Sequence, residues 1–319
     1  MSTGEQLLDE YEVVVVGGGA AGLSAALVLG RSRRSVLVLD SGQPRNAPAA
    51  GVHGLLTRDG ISPEEYVAIG REEVQSYGGH VVDAEARAVR GDVDQGFVVV
   101  LGDGREVRAR RVLVTTGLTD ELPNIPGVSE QWGRGVLHCP YCHGWEVRDQ
   151  AIGVLAVTEQ AAHQALLFRQ WSADVILFVN DSVRATDEES AQLAARGVQV
   201  VEGRVAAVES SDGRLTGVRM ADGTVWEREV IVVMPRFIAR ADFLVDLGLT
   251  LTDHPKGAGQ FIEADETGLT NVPGVYVAGN VANLMAQVGG AAADGAVAAS
   301  AINMELVTED ARAAVAAAG

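Results

Sequence analysis

The sequence predicts an α/β protein built from two nucleotide-binding, Rossmann-like, three-layer domains. Three observations predict it: an apolar strand running into a glycine turn and a helix near the start, a second strand-helix-strand pattern in the middle, and a strand-turn-helix signature near the end. At roughly 150 residues per domain, 319 residues suggest two domains. Apolar residues make up 47% and charged residues 21%, the balance of a folded chain rather than a disordered one.

Taken in order, the first element is the apolar run Tyr11 to Val16, long enough for a buried strand. Gly17-Gly-Gly-Ala-Ala-Gly22 follows it directly, and Leu23 to Leu29 continues with helix-forming residues. Ser35 to Asp40 is the next buried strand, and parallel strands joined by a helix imply a doubly wound sheet. Val98 to Leu101 and Val107 to Val114 read as a hairpin across an Asp103-Gly104 turn, ending at Thr115-Thr116-Gly117. Leu118 to Pro126 reads as a linker. The second α/β pattern takes Ala151 to Val157 as strand, Gln160 to Arg169 as helix and Asp174 to Val179 as strand. Shorter strands follow through Met234, broken by Asp212-Gly213 and Asp222-Gly223 turns. Val275 to Asn280 and the Ala/Gly-rich stretch from Met285 to Ala301 repeat strand, turn and helix, and the alanine-rich tail from Ala311 reads as frayed.

Gly17, Gly19 and Gly22 have the Gly-x-Gly-x-x-Gly spacing, which serves a tight turn, close backbone approach to a pyrophosphate, and close packing of helix on strand. Ala20 and Ala21 open the helix, whose first N–H groups face the phosphates. Asp40, ending the next strand, is placed to accept ribose hydroxyls and disfavours a 2′-phosphate, so this site wants FAD or NAD. An ordinary glycine turn with a solvated Asp is the plain alternative.

The two cysteines, Cys139 and Cys142, sit three positions apart in Cys-Pro-Tyr-Cys. In a reducing compartment that spacing points to redox work or metal rather than to a structural staple. His138 and His143 flank the pair, and a histidine of near-neutral pKa can take the proton of a thiol. A redox-active disulfide is the leading reading, with a crowded zinc site and an inert pair of small core residues as alternatives; no resident metal is expected. Glu146 reads either as orienting a histidine or as a solvated carboxylate.

With 25 Lys and Arg against 43 Asp and Glu, the net charge of −18 repels nucleic acid and anionic membrane surfaces. The acidic leader Met1 to Glu12 has neither the basic nor the apolar character of a targeting peptide, and a cytoplasmic setting is expected.

These features together, with Ala278-Gly279-Asn280 and Met285-Ala286-Gln287 near the end, resemble the thioredoxin reductase family over nearly the whole chain. The resemblance implies the low-molecular-weight thioredoxin reductase architecture: a discontinuous FAD-binding domain at 1–118 and 236–319 around an inserted NADPH-type domain at 119–235 that carries the cysteines, and a homodimer. It implies FAD contacts at Gly279, Asn280, Ala286, Gln287 and Val288, with Asn46, Thr116 and Gly117 as further candidates, and it makes Cys142 the flavin-proximal thiol. The family's late motif reads Ala-Gly-Asp, so Asn280 keeps an acceptor and loses the charge. His53-Gly54 reads as a surface turn, with an approach to the flavin or substrate as the alternative, and Trp132, Trp145 and Met285 read as core rather than substrate contacts.

Two departures shape the expected function. The redox motif ends in His143 where the family has Asp, which resembles the dithiol oxidases that close disulfides in natural products such as holomycin and gliotoxin. The inserted domain has Ala156-Val-Thr-Glu-Gln-Ala161 where a pyrophosphate loop is expected and Val179-Asn-Asp181 where arginines are expected, so NADPH binding is read as lost. The expectation is an FAD-dependent oxidase taking a small-molecule dithiol and O2. A reductase fed by NADPH or another donor such as ferredoxin is the alternative among enzymes, and a non-catalytic flavin redox sensor the alternative outside them.

Overall fold

Side chains buried on both faces confine Tyr11 to Val16 to the middle of a sheet, and in the computed structural model, which describes residues 7–182 and 184–318, that is where they lie. The first six residues of the acidic leader and Gly319 of the tail lie outside the described residues.

The chain forms two compact units, the first comprising Met1–Ala47, Ser62–Thr119 and Phe237–Gly319, the second Pro48–Ile61 and Asp120–Arg236. In the first unit β1 (Glu10–Val16) leads through α1 (Ala20–Arg31) to β2 (Val36–Asp40), with β1 and β2 parallel from Val13↔Val36 to Val16↔Leu39. Then come α2 (Pro63–Ser76), β3 (His80–Asp83), β4 (Ala86–Asp92), β5 (Gly96–Leu101) and β6 (Glu106–Val114). The strand order is β3-β2-β1-β6-β5-β4, parallel through β6 and antiparallel beyond it, so the expected hairpin forms the outer part of the sheet. Leu118–Glu121, expected as linker, is β7, where the alternation of a buried Leu118 with exposed Thr119 marks a strand surface.

The second unit continues with α3 (Val128–Gln131), β8 (Val136–Leu137), α4 (Pro140–His143), β9 (Ile152–Leu155), α5 (Ala161–Phe168), β10 (Val175–Phe178), α6 (Asp187–Ala195) and β11 (Gln199–Val201). Then β12 (Val205–Ser211), β13 (Arg214–Met220) and β14 (Val225–Glu227) form an antiparallel sheet, and β15 (Val230–Val233) returns to the parallel one, ordered β11-β10-β9-β15-β8. Apolar clusters on its two faces, one around Phe168 and Val154, the other around Phe178 and Ile231, make this unit a layered α/β body.

The chain returns to the first unit through β16 (Arg236–Ala239), β17 (Thr252–Asp253), β18 (Gly259–Phe261) and β19 (Val275–Val277), the last adding to β6 in parallel. It closes with α7 (Val288–Ala318), so the tail expected to fray continues a helix. A Cβ at Gly295 of α7 would fall 2.0 Å from the Ala21 carbonyl, so only glycine lets α7 lie against α1.

Candidate active site

The glycine loop is shaped by contacts that exclude side chains. Gly17 has φ +117°, and a Cβ there would meet the Thr115 carbonyl at 2.4 Å. A Cβ at Gly22 would lie 1.9 Å from the Gly17 carbonyl, so helix α1 can start beside β1 only with glycine at that position. Thr115 Oγ1 donates to the carbonyls of Val16 and Gly17, and the Gly17 N–H donates to the Leu39 carbonyl, tying the loop to both flanking strands. Gly19 differs: a Cβ there meets nothing within 4 Å. It is the N-cap of α1 and no side chain caps the helix, which leaves a cradle open in front of the first-turn amides of Ala20, Ala21 and Gly22. That cradle fits a dinucleotide pyrophosphate.

Asp40 ends β2, nearly buried, and accepts from the Gly42 N–H at 3.1 Å. Gly18, a free position in the spacing pattern, turns out to matter: a Cβ there would sit 2.5 Å from Asp40 Cγ. The run of three glycines was the available signal for it. Asn46 is half-buried in the turn that follows Asp40. Thr116 Oγ1 donates to the Arg240 carbonyl at 2.6 Å, and Gly117, at φ +69°, accepts from the Arg240 N–H.

In the late motif, Gly279 has φ +72° and packs its Cα side on Ala21. The Asn280 Nδ2 donates to the carbonyls of Asn283 at 3.0 Å and Ala286 at 2.9 Å, a role beside the acceptor expected of its Oδ1. A carboxylate has no proton to give, so this loop closes around an amide. Ala286 and Val288 are half-buried, and Gln287 is exposed, its carbonyl accepting the Ala291 N–H in the first turn of α7. Met285 is 59% exposed and Trp145 is 65% exposed, so neither is the core residue expected.

In the second unit, Cys139 and Cys142 form a disulfide with Cα atoms 5.3 Å apart, both half-buried. Pro140 at the first helical position starts α4, and the Cys142 N–H donates to Cys139 Sγ at 3.2 Å. A donor aimed at that sulfur favours the Cys139 thiolate when the pair opens. Gly144 keeps the turn narrow, since a Cβ there would strike the Trp171 ring at 2.7 Å. Tyr141, 64% exposed, meets Trp171 edge-on, and Arg148 lies over Trp145.

His143 is half-buried beside the disulfide, and burial lowers its pKa from 6.5, opposed by the field of Glu146 and assisted by that of His53. At neutral pH the imidazole is therefore a neutral acceptor. His138 is held differently: its ring stacks on Trp132 at 5.8 Å, and its carbonyl accepts from Gln164 Nε2. His53, expected in a surface turn, instead has its Nε2 3.5 Å from Glu146 Oε1 and its Nδ1 3.6 Å from Asp59 Oδ2. Nothing in local sequence marks a histidine some ninety positions earlier as a neighbour of Glu146. Among the described residues, no group of three or more His, Cys, Asp or Glu has the geometry to hold a metal ion.

The β9–α5 loop carries side chains where a pyrophosphate would need bare backbone. Glu159 is exposed, Gln160 is the helix N-cap, and Thr158 Oγ1 is buried without a hydrogen-bond partner. After β10, Asn180 Oδ1 accepts from the Val205 N–H at 2.9 Å, and Asp181 is exposed.

The chain that carries this glycine cradle and this disulfide resembles known proteins over nearly its whole length. Residues 11–295 match the family described as Pyridine nucleotide-disulphide oxidoreductase. The chain belongs to this family. Thioredoxin reductase sirT of Leptosphaeria maculans is 31% identical, covering 94% of this chain and 95% of its own. Thioredoxin reductase aclD of Aspergillus oryzae is 28% identical over 85% of this chain and 88% of its own. Among solved structures, HlmI superposes with a TM-score of 0.90 at 45% identity over 99% of this chain and 98% of that one. An oxidoreductase from Agrobacterium tumefaciens gives 0.88 at 35%, over 94% and 99%. This member of the pyridine nucleotide-disulphide oxidoreductases is a thioredoxin reductase-like flavoprotein that binds FAD, and its chemistry is that of a disulfide oxidoreductase.

Proposed function

We propose that the protein is an FAD-dependent dithiol oxidase, which closes an intramolecular disulfide in a small-molecule dithiol and has O2 as final acceptor, giving hydrogen peroxide. The observation that carries this reading is a redox disulfide beside a neutral, half-buried imidazole, in a unit whose nucleotide loop is filled with side chains. The exposed Tyr141 and Trp145 rings near the cysteines suit a small substrate with an apolar body.

The substrate's first thiol passes its proton to His143, and its sulfur bonds to Cys139 Sγ as the Cys139–Cys142 bond breaks, leaving Cys142 as thiolate. The second thiol attacks the substrate sulfur of this mixed disulfide. The product disulfide forms, and the departing Cys139 sulfur takes the second proton. The hydrogen bond from the Cys142 N–H stabilises Cys139 as it leaves. Because His138 is stacked on Trp132, His143 is the assigned base. Gly17, Gly19, Gly22, Asp40, Thr116, Gly117 and the segment from Gly279 to Val288 would hold FAD, with Asn46 beside them; FAD supplies the two-electron acceptor between the protein dithiol and O2. The reading places the protein in the cytoplasm as a homodimer, and among the described residues no helix is long and apolar enough to cross a membrane.

The test is turnover of dithiothreitol under air, with disulfide and peroxide counted together. Equal amounts are expected, and Cys139→Ser or Cys142→Ser should abolish both while the flavin stays bound. A double variant with full turnover refutes the disulfide route.

A further inference from the structure

The mechanism leaves His53, a titratable side chain that acts on His143, without a task. His53 lies in the loop from Pro48 to Ile61, which folds back on itself: the Val52 N–H donates to the Ile61 carbonyl at 2.7 Å and the Gly60 N–H to the Val52 carbonyl at 2.8 Å. Asp59, on the exposed side of the loop, accepts from the Gly54 N–H at 2.8 Å through Oδ1 while Oδ2 faces His53 Nδ1. The ring is thereby aimed, and its other nitrogen meets Glu146, just beyond α4. The His53 side chain is 25% exposed and that of Glu146 38%, so water screens this pair only in part.

The titratable groups acting on His143 are Glu146, from the turn after α4, and His53, from the loop, with Asp59 behind it. Their effects are opposite. A carboxylate beside an imidazole favours the imidazolium, which cannot take a proton; a second histidine engaging that carboxylate weakens the pull.

We propose that His53 is a positioning residue for the exchange reaction: held between Asp59 and Glu146, it occupies the Glu146 carboxylate and leaves the His143 imidazole free to accept the substrate proton. The inference rests on His143 being the base in the proposed function. It does not depend on which acceptor finally takes the electrons. It also assigns Glu146, open in the sequence between orienting a histidine and lying in solvent, to the link between the two histidines.

The test uses the holoprotein and its His53→Gln and Glu146→Gln variants. The rate of flavin bleaching by dithiothreitol without oxygen is followed against pH, and the His143 imidazole is titrated by NMR. With His53→Gln, both the acid limb of the rate and the His143 midpoint are expected to move up by about half a pH unit, about a threefold slower reaction on the acid side. With Glu146→Gln both should move down. Asp59→Asn, which leaves the ring in place and loosens its aim, should move them up by less, and serves if His53→Gln does not fold. Rates that fall with no movement of either midpoint in any variant make His53 a structural residue and overturn the proposal. If the midpoints move as stated but air yields no peroxide, the oxidase reading fails while the inference about His53 stands. If the NMR midpoint moves and the acid limb does not, His143 is not the base, and both the inference and that step of the mechanism fall.

Discussion

One methyl group separates the two tasks of the glycine loop. At Gly22 it would lie 1.9 Å from the Gly17 carbonyl, so Gly22→Ala breaks the β1–α1 turn and should cost several kcal/mol by the overpacking and strain it forces. At Gly19 the methyl meets no atom, and φ is an ordinary −82°. Gly19→Ala should leave the apoprotein within about 1 kcal/mol of its stability, the cost of Ala at an N-cap, yet empty the cradle of flavin. Urea unfolding of apoprotein and the flavin-to-protein absorbance ratio read the two effects separately; a Gly19→Ala protein carrying full flavin contradicts the assignment. At Asn280, both amide protons are spent on the loop before α7, so Asn280→Ala should destabilise by about 1–3 kcal/mol, and Asp should not restore it. Recovery with Asp would contradict the donor role. The glycines were legible because their spacing is local and each has a backbone reason. The donor role of Asn280 was not, because an amide's direction is set by carbonyls that only the folded loop presents. His53 was hidden for the same reason at longer range.

Among the elements, the buried strands were the easiest to read, since β1, β2, β9, β10 and β15 are short, mostly apolar runs. Helix α2 was missed because it fully buries only Pro63 and Val74 and its other residues are mostly charged or polar, which blurs the apolar period. β4 was missed because Ala86-Arg-Ala-Val-Arg-Gly-Asp92 buries just Ala86 and Val89. The end of α7 was misread because an exposed alanine run has no periodicity, although alanine is the best helix former. The second half of α7 is held by charge as well as by the buried Leu306. Arg111, with its side chain 3% exposed, bonds Glu305 at 3.1 Å and Glu309 at 2.7 Å, and Arg34 and Arg110 both reach Asp310 at 2.7 Å. Hydrogen bonds from Arg34 and Arg110 lower the Asp310 pKa; at Glu305, burial pushes upward and is outweighed by hydrogen bonds from Arg111 and Tyr276. Both carboxylates are thus depressed, so their contribution is present above the ordinary carboxylate range and is lost as pH falls below about 4. Arg111→Ala should cost about 2 kcal/mol and flatten that acid loss, whereas Arg105→Ala, in an exposed turn pair with Asp103, should stay within about 0.5 kcal/mol. Equal midpoints for the two variants in urea at pH 7 would contradict the anchoring.

At the scale of the whole molecule, the first unit offers the cradle and the second the disulfide, while the nucleotide loop of the second has exchanged bare backbone for side chains. The surplus of acidic groups, net −18, keeps nucleic acid away but is screened beyond about 10 Å in 0.1 M salt and acts little on a neutral dithiol. The overall α/β plan was legible because each unit repeats the strand-helix-strand pattern. That the 48–61 segment groups with the disulfide-bearing unit was not, since the excursion leaves no apolar period behind. The central claim is that electrons enter from a dithiol through Cys139 and Cys142 and not from NADPH. The measurement closest to it records the flavin absorbance of the holoprotein without oxygen, mixed in separate runs with NADPH and with dithiothreitol. The band should persist with NADPH and bleach with dithiothreitol; rapid bleaching by NADPH would contradict electron entry through the cysteines.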